Sequence, residues 1–221
     1  DLLRSRGLGD VYKRQVLPRK ATPEDPLRLA VLISGGGSGL LALLRYQSEG
    51  ARNHVTSLVI SDSESAGGLR HASDSCVENL SIPLLDGLTG DERRLEHEGR
   101  VMKALTSYDI EMVVLSGYMR VLTPSFVKEW KGRIVNIHPS LLPEFPGAHA
   151  QRDAIEAGVE ESGCTVHFVD EGVDTGTIIE QRKVPVLPGD TVETLTERIK
   201  LEEHVLYPRV LDEISSGRVS V

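Results

Sequence analysis

Apolar residues in this chain come in short runs separated by stretches of helical spacing. Runs suited to buried strands fall at Leu27–Ser34, Val55–Ser61, Met112–Ser116, Ile134–His138, Cys164–Val169 and Ile178–Val184. Between them, apolar positions on one helical face predict helices over Leu40–Glu49, Leu69–Glu78, Asp91–Ser107, Ser125–Glu129 and Ala148–Ala157. A last long helix starts near Thr191, with Asp190 and Glu193 at capping-box spacing, and Pro208 is expected to kink or split it. This alternation predicts an α/β fold, a single doubly wound and mainly parallel sheet with helices on both faces. Sheets of that class bind ligands in the crevice beyond the carboxyl ends of their strands.

The pattern is missing at the N-terminus. "DLLRSRGLGDVYKRQ" has no clear period, and "DVYKRQ" (Asp10 to Gln15) is what a common sequencing adapter encodes when translated. Residues 1–26 are therefore expected to be an artefact followed by a flexible lead-in, "VLPRKATPEDP", and residues 27–221 to form one catalytic domain. With 221 residues, 39% of them hydrophobic, the chain can bury a sizeable single core. A net charge of −8 and the lack of a basic run argue against nucleic acid or an anionic membrane as partner. Cys76 and Cys164 have neither metal nor redox spacing and read as free thiols in a reducing compartment, so no metal is expected. No apolar stretch approaches the roughly 18 residues of a membrane span. A cytoplasmic protein is the expectation.

Candidate chemistry begins at "LISGGGSGLLALL" (Leu32 to Leu44), which joins the first strand to the first helix. The dinucleotide fingerprint fails, because Leu40 stands where its third glycine belongs, and the Walker A pattern lacks its terminal Lys and Ser/Thr. What remains is bare backbone N–H groups at a helix N-terminus plus the Ser38 hydroxyl, a cradle suited to one phosphate. A tight strand-to-helix turn would use the same glycines.

The second candidate is "NIHPSLLPEFPG" (Asn136 to Gly147). Asn136 and His138 are two apart, so a strand end projects them to one side, and Pro139 then forces the chain out of the ladder. A carboxamide can steady a developing oxyanion and an imidazole can move a proton near neutral pH, which together fit attack on a carbonyl. The same pair would also serve as structural hydrogen-bonders. No nucleophile elbow of the G-x-S-x-G type is present, so an acyl-enzyme is not indicated.

The third is "CTVHFVDEGVDTGTIIEQ", a strand, an acidic loop and another strand. Thr165 and His167 alternate onto one face, with Cys164, Val166 and Phe168 on the other. His167 reads best as a hydrogen-bonded core histidine and Glu171 as part of a solvated turn. A carboxylate in that loop beside an imidazole would fix its tautomer and favour its charged form.

These three segments, with "VLSGYMRVL" and "KLEEHVLYP", stand in the order and spacing of one family. From about Leu29 to Val219 the chain closely resembles the phosphoribosylglycinamide formyltransferases, folate-dependent enzymes of purine synthesis. The resemblance implies transfer of a formyl group from 10-formyltetrahydrofolate, as cosubstrate, to the amine of glycinamide ribonucleotide, by a monomer or homodimer. By that resemblance Asn136 holds the tetrahedral oxyanion, His138 donates the proton and Asp174 supports the charged imidazole. Gly37, Ser38 and Gly39 match the substrate-phosphate loop, and Lys200, Leu201, Glu202 and Glu203 match residues that hold the ribonucleotide. Arg94, Met119, Arg120, Val121, Leu122, Asn136 and the loop Asp170, Glu171, Gly172, Val173, Asp174 match folate-binding positions. One departure stands in the phosphate loop, which commonly carries Asn where this chain has Gly39. Formyltetrahydrofolate deformylase is disfavoured because it would add a domain ahead of the core. Methionyl-tRNA formyltransferase would add one behind it and want a basic face. A nucleotide-binding module without catalysis would need only the glycine loop.

Overall fold

The structure, a computed structural model, describes residues 17–219. Its sheet has seven strands in the order β3-β2-β1-β4-β5-β6-β7. These are β1 (Leu27–Ile33), β2 (His54–Ser61), β3 (Glu78–Ser81), β4 (Met112–Leu115), β5 (Ile134–His138), β6 (Glu161–Phe168) and β7 (Ile178–Pro185). The helices are α1 (Ser38–Ser48), α2 (Gly67–Asp74), α3 (Gly90–Ser107), α4 (Pro124–Glu129), α5 (Ala150–Glu156) and α6 (Val192–Ser215). Strands β1 to β5 pair in parallel, while β6 runs antiparallel to β5 and β7 antiparallel to β6. The sheet is thus mainly parallel, as its apolar runs predict.

Burial on both faces explains why β1 is apolar without a break from Leu29 to Ile33. Leu29, Val31 and Ile33 pack on the face covered by α1 and α6, among Leu40, Leu44, Leu195, Ile199 and Leu206. Ala30 and Leu32 pack on the other face, against Val101 and Leu105 of α3 and Phe126 of α4. Period-2 alternation sends successive side chains to opposite layers, and helices cover both, so charge is confined to the strand's start, where the part-exposed Arg28 pairs with Glu111.

Several expectations are corrected. The helix expected to reach Glu78 ends at Asp74; Cys76 turns the chain at φ 56, and Glu78–Ser81 becomes an edge strand on β2. "ENLS" carries no apolar alternation, so only pairing with β2 makes it a strand. Helix α6 runs through Pro208 as one span of 24 residues. The flanking Leu206, Tyr207, Val210 and Leu211 are all buried, and the Tyr207 hydroxyl lies 2.9 and 3.0 Å from the Leu115 and Val135 carbonyl oxygens, holding both halves to the sheet. The capping box is formed one residue later than expected, by Thr191 and Thr194. Asp190 instead takes a bidentate pair with Arg198 and the Leu187 N–H, which hold its carboxyl well below the usual range.

The stretch before β1 differs from its expectation as far as it is described. Ala21 is buried and its N–H donates to the Ser215 carbonyl at 2.7 Å, while Arg19 bridges Glu111 and Asp25. Residues 17–26 are therefore docked on the fold rather than a flexible lead-in. The adapter-like residues 1–15 lie outside the described residues.

Candidate active site

Beyond the carboxyl ends of β1, β4 and β5 lie two adjoining cavities of about 320 and 360 Å³. They share Gly117, Met119, Ile137, Pro139 and Gln151, so the end of β5 forms part of the ridge between them. This is where a doubly wound sheet leaves room for ligands, because β1 and β4 lead their helices to opposite faces.

Strand β5 brings the first group together. Ile134 packs on the face covered by α3 and α4, so Asn136 and His138, two and four residues on, project to that same side at the strand's end. His138 is buried, with Nε2 2.9 Å from the Phe145 carbonyl oxygen and Nδ1 3.3 Å from Asp174 Oδ2. Both neighbours can only accept, so each suits a protonated nitrogen facing it. Asp174 Oδ2 also accepts from the Gly147 N–H at 2.8 Å, which fixes the carboxylate to the far end of the NIHP loop. Phe145 and Asp174 both sit in the left-handed region, at φ 51 and 54. Asp tolerates that conformation; for Phe it is an outlier, held here where its carbonyl must reach the imidazole.

His167 is the residue whose part sequence reasoning missed. Antiparallel pairing sets it opposite Asn136, and Thr165 opposite His138. It is buried as expected, but it does more than fill the core. Its Nδ1 lies 2.9 Å from the Phe168 carbonyl oxygen and so carries the proton, leaving Nε2 to accept from Asn136 Nδ2 at 3.2 Å. Burial pushes its pKa down, which keeps Nε2 bare. His167 thereby fixes which end of the carboxamide faces it. The signal was present in the alternation of Thr165 and His167, but the partner strand could not be read from it.

The second cavity is built on the glycine loop. Gly37, at φ 70, caps α1, and a Cβ there would come within 2.6 Å of Gly68 Cα, so only glycine fits. Gly35 and Gly36 have nothing within 4 Å of an added Cβ, which leaves their backbone open to the cavity. Helix α6 forms the opposite wall. Lys200 and Glu203 line the cavity, one turn apart, whereas Leu201 and Glu202 do not, and Leu201 is 68% exposed. Helical spacing lets only the i, i+3 pair share a face. Burial pushes the Glu203 carboxyl up to about 7, against the opposing effect of Lys200. His204 Nε2 lies 3.3 Å from the Ser38 hydroxyl oxygen, and burial, with Lys200, lowers its pKa.

The first cavity is walled by Met119, Arg120, Val121 and Leu122 on one side and by Asp170, Gly172, Val173 and Asp174 on the other. Met119, Val121 and Val173 are more than half exposed at its rim, an apolar mouth suited to a flat ring system. Asp170 shapes the acidic loop by accepting from the Gly172 N–H and the Thr175 hydroxyl. Glu171 is exposed and does not line the cavity. Arg94 also lies outside it, in a neighbouring cavity of about 280 Å³ with His97 and Tyr118, where its guanidinium donates to the Val121 carbonyl at 3.0 Å. Arg120 pairs with Asp62 at 2.7 Å.

A sequence model of the formyl transferase family matches residues 27–211. The chain is 47% identical over 192 residues to the trifunctional purine biosynthetic protein adenosine-3 of Drosophila pseudoobscura pseudoobscura, covering 86% of this chain but 14% of that protein. It is 38% identical over 197 residues to the phosphoribosylglycinamide formyltransferase of Escherichia coli, covering 88% of this chain and 90% of that one. Its fold superimposes on the crystal structure of glycinamide ribonucleotide transformylase 1 from Symbiobacterium toebii with a TM-score of 0.84, at 43% identity, covering 89% of this chain and 91% of that chain.

Proposed function

This chain belongs to the formyl transferase family, and we propose that it transfers the formyl group of 10-formyltetrahydrofolate to the amine of glycinamide ribonucleotide, a step of purine synthesis. One observation carries the reading: Asn136, His138 and Asp174 meet at the ridge between an apolar cavity and a glycine-lined one. The apolar cavity suits the pterin end of the folate. The glycine loop suits the ribonucleotide phosphate. A formyl carbon and an amine seated from opposite sides then meet beside Asn136 and His138.

Attack of the amine on the formyl carbon turns the carbonyl oxygen into an oxyanion. The Asn136 carboxamide, steadied by His167, donates to it. Collapse breaks the bond to the folate nitrogen, which takes a proton from the His138 imidazolium, while the attacking amine gives one up. Protons therefore balance over the turnover, and Asp174 holds the charged imidazole between transfers.

Mixing purified protein with both substrates tests the reading directly. Formylated ribonucleotide should accumulate with time. Release of free formate in its place would mark a deformylase, and no reaction with either acceptor would overturn the assignment.

The two cavities predict separate effects. Ser38→Asp puts a carboxylate where the phosphate sits, and like charges at contact distance repel by a few kcal/mol near a protein surface. The KM for the ribonucleotide should rise about tenfold or more, with folate binding within about twofold of wild type; equal weakening of both ligands in calorimetry would make the loop structural only.

Glu203 predicts a pH dependence. Its carboxyl titrates at about 7, so at pH 6 it is mostly neutral and at pH 8 mostly charged. A charged carboxylate accepts stronger hydrogen bonds from ribose hydroxyls. Ribose 5-phosphate should therefore bind more tightly as pH rises through 7. That step should vanish in Glu203→Gln, leaving only the lower-pH change from the phosphate itself; a step that survives the substitution belongs to another group.

A further inference from the structure

Gly39 stands in the first turn of α1 with an ordinary helical backbone, so a need for left-handed freedom does not explain the glycine. Space does. A Cβ at this position would lie 2.6 Å from the Ser116 hydroxyl oxygen. Ser116 directly follows β4, and its N–H donates to the Leu32 carbonyl at 3.0 Å, which anchors its backbone to the sheet. The residue is 9% exposed and lines the cavity together with Ser34 to Gly39. Among the described residues the Ser116 hydroxyl has no hydrogen-bond partner, which leaves it free to bond a ligand in the cavity that Ser116 lines. It is a hydroxyl donor on the cavity wall, set directly against Gly39.

We propose that Ser116 is a phosphate-binding residue, its hydroxyl donating to the ribonucleotide phosphate alongside the N–H groups of the glycine loop. The inference rests on the phosphate reading of that cavity. It explains the departure at position 39: the serine hydroxyl fills the room that a side chain there would need, so one of the two positions carries the donor and the other stays small. Loop and strand end are complementary, and neither can be exchanged alone.

The test is a two-position cycle read by ribonucleotide KM and by calorimetry with ribose 5-phosphate. Ser116→Ala should raise the ribonucleotide KM about tenfold, the effect of one hydrogen bond to a charged group, with kcat and folate KM nearly unchanged. Gly39→Asn alone should also weaken binding, because its Cβ meets the hydroxyl. Gly39→Asn combined with Ser116→Ala should bind more tightly than either single variant. Wild-type protein that binds ribose 5-phosphate while Ser116→Ala binds it equally well would overturn this inference alone, as would strictly additive single effects. Wild-type protein that does not bind ribose 5-phosphate overturns the phosphate reading, and the inference with it. Thermal melts of all three variants identify any loss that comes from unfolding.

Discussion

Replacing Asp174 by Asn should lower turnover by about 10²–10⁴, the usual span for general acid–base help, and shift its pH dependence without disturbing the fold. The substitution keeps size, and Asn tolerates the left-handed backbone that Asp174 adopts at φ 54. Its amide oxygen can still accept from the Gly147 N–H, which Asp174 now does at 2.8 Å. What changes is the group facing His138 Nδ1 at 3.3 Å. A carboxylate there accepts and so favours a protonated nitrogen. A carboxamide can instead present its N–H₂ to a bare Nδ1, while Nε2–H stays on the Phe145 carbonyl. Every hydrogen bond is then satisfied by neutral imidazole, a far weaker acid than the imidazolium. The limb of the pH–rate profile that reports the imidazolium should accordingly move to lower pH, because the charged form has lost its partner. If Asp174 served only to shape its loop, turnover would fall mildly and that limb would stay in place, and an unshifted limb would sink the electrostatic role even in a slow variant.

The second large effect is expected for Asn136→Ala, a loss on the order of 10²–10³ in turnover, as for the removal of one oxyanion donor. Substrate KM values should change little, since the donor acts on charge that develops only in the transition state. A modest loss of stability should accompany it, because His167 Nε2 is left without the carboxamide that now lies 3.2 Å away. An unpaired buried acceptor costs about 1–3 kcal/mol, enough to lower the melting temperature by a few degrees but not to unfold the domain. Turnover within twofold of wild type, at intact secondary structure, would remove Asn136 from the mechanism.

Both predictions rest on residues whose spacing in the sequence already sets them apart, yet the two cases were not equally legible. Asn136 and His138 share a face because strand period is two, and Pro139 ends the strand; both follow from local covalent geometry. His167, by contrast, alternates correctly in the sequence, but its bond to Asn136 exists only because β6 turns antiparallel and sets Asn136 opposite His167. The strand Glu78–Ser81 was hidden for the same reason, since its pairing with β2 supplies what its composition lacks.

Residues close together in the chain therefore encode a set of local objects. These are apolar runs that must be buried on both sides, a glycine loop that exposes backbone N–H groups, and a strand end carrying a carboxamide and an imidazole. Each depends on side-chain period and backbone freedom within a few residues. Tertiary structure alone decided which objects meet. It bound the lead-in at Arg19 and Ala21 to the sheet and α6, kept α6 whole across Pro208, and turned Lys200 and Glu203 toward the cavity with Leu201 and Glu202 away. It also set Ser116 against Gly39. The reason is physical: burial, charge pairing and close contact depend on distance in space, and residues more than a hundred positions apart, such as His204 and Ser38 at 3.3 Å, acquire one another as neighbours only when the sheet closes.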